Sequence, residues 1–129
     1  MKNTKPFGKH FILDADECIG KMNDRQHIQT FIDTLIDKLG MKKKGETVFE
    51  YFEDNEFNRE RDIVGYSVVQ VISLSSIVIH LNEISKTIYL DVFSCGDIDE
   101  LTITLLFSDY FRPKKIKKQI ITRDARALN

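Results

Sequence analysis

The chain has 129 residues, and its 19 Lys plus Arg against 20 Asp plus Glu leave a net charge of −1. It is shorter than a typical domain of ~150 residues, so one domain spanning 1–129 is expected. Hydrophobic residues at 42% and charged residues at 30% exclude a disordered chain, and near-neutrality excludes a global field that would draw it onto nucleic acid or an anionic membrane.

The chain opens MKNTKPFGKHFILDADEC. Its apolar run, Phe11-Ile12-Leu13, is stopped by Asp14 and is too short for a signal peptide. Residues 8–14 (GKHFILD) read as a strand. In residues 24–39, Ile28, Phe31, Ile32, Leu35, Ile36 and Leu39 fall on one helical face, with Asp24 as N-cap and Gly40 at the end. Residues 46–53 (ETVFEYFE) read as a strand, and the charged stretch 54–64 as a solvated loop. Residues 66–73, 76–81 and 87–93 are short, β-branched and separated by turn-like residues, so they read as three more strands. This region also holds the longest stretch without Asp, Glu, Lys or Arg, Gly65 to Asn82. Its serines and His80 argue for buried strands over a membrane span, which needs ~20 apolar residues. Residues 97–110 read as a second helix, with Asp97 and Glu100 as a capping box. Residues 114–122 read as a Lys-guarded edge strand. The order β-α-β-β-β-β-α-β predicts an α+β two-layer sandwich, a mostly antiparallel sheet with two helices on one face.

The two cysteines, Cys18 and Cys95, make no disulfide framework, and no Cys/His cluster predicts a metal. A reduced, cytoplasmic protein is expected. Cys95 sits between a strand end and a capped helix, where a helix N-terminus would favour a thiolate. The plainer reading is a small buried residue. His80, between Ile79 and Leu81, is ordinarily a hydrogen-bonded core residue; a catalytic role needs a partner in space. His10 has the same two readings, and His27 lies on the expected exposed side of its helix. Ser73, Ser75 and Ser76 interrupt an apolar stretch. They serve either a turn or bulge or a nucleophile with His80 as base. No GxSxG supports a hydrolase elbow. The Lys114, Lys115, Lys117 and Lys118 run, with Arg123 and Arg126, lacks the aromatic residues that stack bases, so no nucleic-acid partner is expected.

Taken together, these segments resemble the S-adenosylmethionine decarboxylase proenzymes in their short bacterial and archaeal form. GKHFILDADEC is similar to that family's opening Gly-x-His strand, which ends in an acidic residue and Cys. DVFSCGD is close to its Asp-Val/Leu-Phe-Thr-Cys-Gly motif. Ser-Leu-Ser-Ser-Ile-Val-Ile-His stands where the family has Ser-Glu-Ser-His-Ile-x-Ile-His, and the spacings from Ser75 to His80 and from His80 to Cys95 match without gaps. The resemblance runs from about Gly8 to about Arg123.

The resemblance implies an enzyme that makes its own pyruvoyl cofactor. Self-cleavage between Leu74 and Ser75 would give pieces of 74 and 55 residues, with Ser75 as the pyruvoyl precursor. Ser67 and His80 would assist cleavage, and Cys95 would protonate the decarboxylated carbon. The pyruvoyl carbonyl would form a Schiff base with the substrate amine and act as electron sink, feeding polyamine (spermidine) synthesis. A homodimer with sites drawn from both copies is implied, binding a small-molecule substrate. The sequence departs from the pattern around the substrate. The family's Glu before the cleaved Ser is Leu74 and its following His is Ser76. Thr-Trp-Pro-Glu is Leu81-Asn82-Glu83-Ile84. The ribose-holding Glu therefore falls on Ile84, with Glu83 one residue off and on the other strand face. Substrate contacts are expected at Glu83, Leu74 and Ser76. The departures leave open a pyruvoyl decarboxylase of another amino acid, and a non-processing paralogue that acts as a binding or regulatory subunit.

Overall fold

The computed structural model describes residues 5–128. Six strands form one sheet: β1 (Gly8–Asp16), β2 (Val48–Phe52), β3 (Gly65–Ile72), β4 (Ser75–Asn82), β5 (Thr87–Ser94) and β6 (Lys115–Arg123). Every neighbouring pair is antiparallel and the order is β2-β3-β4-β5-β1-β6. The helices are α1 (Arg25–Lys38), α2 (Glu56–Glu60) and α3 (Glu100–Phe111), and a 3-10 turn covers Ala125–Ala127. The α+β sandwich and its chain order agree with the sequence reading, and the Lys-rich β6 lies at an edge of the sheet.

Strand alternation sorts the side chains. Ser75, Ile77, Ile79 and Leu81 of β4 are buried, as are Ile88, Leu90, Val92 and Ser94 of β5 and Phe11, Leu13 and Ala15 of β1. They pack with Ile28, Phe31, Ile32, Leu35 and Ile36 of α1 and with Ile103, Leu106, Phe107 and Phe111 of α3. Each Val, Leu, Ile or Phe side chain among them contributes about 1.5–3 kcal/mol by burial. Phe31 meets Phe107, Tyr110 and Phe111 edge-on, with centroids 5.1–6.1 Å apart. Phe31→Ala should therefore destabilise the fold by about 3–5 kcal/mol, read as a drop in the urea midpoint.

Helix α1 begins as expected, since the Asp24 side chain accepts the His27 amide. It ends at Gly40, whose φ of +68° turns the chain so that the next N–H, of Met41, bonds back to Ile36 O, beside the Gly40 N–H bond to Asp37 O. Other details differ. The 54–64 segment is not simply a loop: it contains α2, capped by Asn55, with Asn58 buried and donating to Glu53 O. Asp54 pairs with Arg59 and Arg61 stacks on Phe57. Local side-chain bonds, not an apolar face, hold this short helix, so hydrophobic periodicity does not reveal it. The cap of α3 is Asp99, which accepts from Thr102 N, whereas Asp97 pairs with Lys9 at 3.4 Å. His27 is half-buried, its Nε2 2.9 Å from Tyr110 O, because the Tyr110 and Phe111 rings of α3 cover it.

Candidate functional site

The face of the sheet away from the helices holds most of the chemistry. Alternation puts Ser67, Val69 and Val71 of β3 there, with Ser76, Val78, His80 and Asn82 of β4 and Thr87, Tyr89, Asp91 and Phe93 of β5. His80 is exposed on this face, so it is not a core residue. It stands directly opposite Ser67 on one side and Tyr89 on the other. Ser67 Oγ and His80 Nδ1 are 2.8 Å apart. A cleft of about 480 Å³ opens over the pair, lined also by Arg61, Asp62, Ile63, Asn82 and Tyr89.

A second cleft lies at the other end of the sheet. Strands β3 and β4 are joined by a two-residue turn, Ser73-Leu74. Leu74 has φ +56° and is 78% exposed. A left-handed conformation costs a non-glycine residue about 1–2 kcal/mol. The residue that precedes Ser75 is thus held in a costly conformation and stands exposed in the turn. Leu74→Gly should relieve the strain and raise stability by up to about 1 kcal/mol, measurable by thermal unfolding of the intact chain.

The Ser75 side chain points the other way, toward the core. It is 9% exposed, and its Oγ is the one buried side-chain polar atom without a hydrogen-bond partner among the described residues. Such a group ordinarily costs about 1–3 kcal/mol, so an orphaned hydroxyl asks for an explanation. Across the ladder Ser75 faces Ser94, and Cys95 follows at once. Leu74 and Cys95 line one cleft of about 550 Å³ with Phe7, Gly8, Lys9 and Arg126. Gly8 is needed here, because a Cβ on it would lie 2.2 Å from Ser94 O. Cys95 is partly exposed. Gly96, Asp97 and Ile98 separate it from the Asp99 cap, so the helix terminus is not adjacent to the thiol. Cys18 is buried, and desolvation, with Asp16 nearby, pushes its thiol up to about 11. It is a structural residue.

The structure thus joins Ser67 to His80, and Leu74 to Cys95, but separates the two groups. Ser75 and His80 are five residues apart on one strand, about 17 Å at the usual rise, and point to opposite faces. Glu83 lies in the β4–β5 turn, where its carboxylate accepts from Tyr51 Oη at 3.1 Å and 3.3 Å. This bond and the nearby carboxylate add to desolvation in raising the Tyr51 pKa. Ile84 beside it is exposed. Ser76 and His10 sit on the open face, in a shallow cleft with Asp91, Phe93 and Arg123. His10 Nε2 lies 2.9 Å from Asp91 Oδ1. The sequence reading missed Tyr89 and Arg61. Tyr89 was within reach, because pairing Asn82 with Thr87 makes Tyr89 face His80. Arg61 was not, since α2 delivers it.

The family model described as S-adenosylmethionine decarboxylase matches residues 9–124. The chain belongs to the S-adenosylmethionine decarboxylase family. Among solved structures, the crystal structure of the adenosylmethionine decarboxylase from Aquifex aeolicus VF5 is similar, with a TM-score of 0.75 and 20% identity. The likeness covers 94% of this chain and 93% of that one, and at this identity it speaks for the fold. Comparison with curated proteins gives no match. Within the matched segment lie the Ser67–His80 cleft, the strained Leu74 turn, the orphaned Ser75 hydroxyl and Cys95. Among the described residues no group of His, Cys, Asp and Glu could hold a metal ion, and no helix is long and apolar enough to cross a membrane.

Proposed function

We propose that this chain is a self-processing, pyruvoyl-dependent decarboxylase of S-adenosylmethionine, working as a homodimer in polyamine synthesis. The observation that carries the reading is the orphaned Ser75 Oγ beside the strained Leu74 peptide. A hydroxyl with no competing hydrogen bond is free to attack the carbonyl before it, and the strain favours leaving the ground state. Attack by Ser75 Oγ on the Leu74 carbonyl converts the amide to an ester. Elimination then releases the Leu74 carboxylate, and hydrolysis consumes one water and releases one ammonia. The new N-terminus is the pyruvoyl group, an electron sink for loss of CO2 when it holds the substrate amine.

The other residues serve proton transfer. His80 Nε2 has no partner among the described residues, and Ser67 holds the opposite ring nitrogen, so the imidazole is oriented and open at one edge. It is the base for the Ser75 proton. Cys95 Sγ, in the cleft beside Leu74, gives a proton to the carbon that has lost CO2.

His80 is too far from Ser75 within one chain, so on this reading the partner's Ser67 and His80 complete the site around the exposed Leu74 turn, since the Ser75 side chain itself faces the helices. The open sheet face supports a second copy. Val48, Val69, Val71 and Tyr89 are exposed on it, and Ile12, Val78, Phe93 and Ile121 are only half-covered. A second copy of the same face would bury them.

Protein incubated with carboxyl-labelled S-adenosylmethionine should release labelled CO2, and pretreatment with phenylhydrazine, which captures a reactive carbonyl, should stop it. A second reading, decarboxylation of another amino acid, is favoured by Ile84 at the ribose-holding position and by the engagement of Glu83 with Tyr51. Release of CO2 from a panel of amino acids, with none from S-adenosylmethionine, decides for it.

A further inference from the structure

We infer that Ser94 is a positioning residue for Cys95, whose turn its buried hydroxyl closes opposite Ser75. The inference rests on the pyruvoyl reading above, but its test includes a measurement that does not. Ser94 closes β5 and is 2% exposed. It is the register partner of Ser75. Both side chains lie on the helix-facing side of the sheet, and directly opposed residues have Cβ atoms about 4.5–5.5 Å apart. Ser94 Oγ accepts the Gly96 N–H at 3.2 Å, a bond that closes the turn presenting Cys95. Its own proton has no acceptor among the described residues, and Ser75 Oγ opposite has no partner at all.

The environment leaves few other ways to satisfy these hydroxyls. Ile77, Ile79, Leu90 and Val92 occupy the neighbouring core-facing positions of the two strands, so a polar side chain at 94 needs a reason. β1 closes over the strand end without a side chain, because Gly8 is packed against Ser94 O and the Cys95 Cα. Ser94 is therefore pinned from its own turn and from β1. Loss of the hydroxyl removes the bond that holds the Gly96 turn under Cys95.

The test compares wild type, Ser94→Ala and Ser94→Thr. Self-cleavage is followed by mass spectrometry during refolding, and alkylation of Cys95 by iodoacetamide is followed by peptide mapping. Buried Cys18 is the internal control. Ser94→Ala should speed Cys95 alkylation severalfold, on the scale of one lost hydrogen bond, with Cys18 still unmodified, and should still cleave, since Ser75 makes no bond to Ser94. Ser94→Thr, which keeps the hydroxyl, should recover most of the alkylation effect. Alkylation at the wild-type rate in Ser94→Ala overturns the inference, as does loss of cleavage in it or a Thr variant no better than Ala. If the wild type itself never cleaves, the pyruvoyl reading fails, while the alkylation comparison still decides whether Ser94 holds Cys95.

Discussion

Replacing Ser75 by alanine yields a chain that stays whole at 15.0 kDa, releases no CO2 from substrate, and is no less stable than other unprocessed chains. The first two effects follow because no other hydroxyl is attached to the carbon that becomes the pyruvoyl group. The third separates a nucleophile from a structural serine. Ser75 Oγ is buried without a partner, so deleting it removes a desolvated group that gains nothing in the fold. The variant should match or exceed the stability of the uncleaved His80→Ala chain, by up to about 1 kcal/mol. A melting temperature well below that of His80→Ala means the hydroxyl supports the fold and is not a group held free for attack. Cleavage in Ser75→Ala removes the assignment outright.

The second large effect concerns where the base comes from. His80→Ala and Ser75→Ala should each stay uncleaved when expressed alone. Co-expressed or mixed during refolding, they should form dimers in which one site has an intact Ser75 from the first variant and an intact His80 from the second. The His80→Ala chain should then be cut. A random mixture puts about half of the chains in mixed dimers, so cleavage should approach half of the His80→Ala chain. No cleavage in the mixture would place both groups in one chain, against the separation of about 17 Å that strand geometry gives. A companion readout is the oligomeric state. A charge on the open face, as in Val78→Lys, should leave a monomer that does not cleave.

The sequence carried the fold well for a physical reason. Period-2 alternation in β4 and β5 and the 3.6-residue spacing in α1 are each enforced by burial against one face, and burial is what hydrophobic patterning records. Where burial does not set the structure, the reading failed. Helix α2 is held by Asn55, Asn58 and the Asp54–Arg59 pair, and the α3 cap moved two residues, from Asp97 to Asp99, because both are acidic and both precede the same apolar run. His80 was weighed as a core residue because its neighbours Ile79 and Leu81 are apolar. Alternation itself puts it on the other face, and only the open sheet leaves that face uncovered.

The site was legible as a set of residues and not as an arrangement. Ser67 with His80 could be paired from hairpin register once the Ser73-Leu74 turn was fixed. The sequence reading does not separate Ser75 from His80, because it starts the strand at 76 and leaves Ser75 in the turn; the structure starts β4 at Ser75, so that alternation puts the two side chains on opposite faces. The resemblance supplied the chemistry, and the geometry added the strained Leu74, the unpartnered Ser75 and the separation of Ser75 from His80 within one chain.

If the chain cuts itself at the Leu74–Ser75 bond, the mass of the purified wild-type protein under denaturing conditions shows two pieces, residues 1–74 and 75–129, the second beginning with a carbonyl that reacts with phenylhydrazine and resists N-terminal sequencing. A single species at 15.0 kDa, with an ordinary amino terminus and no reaction with the hydrazine, contradicts self-cleavage.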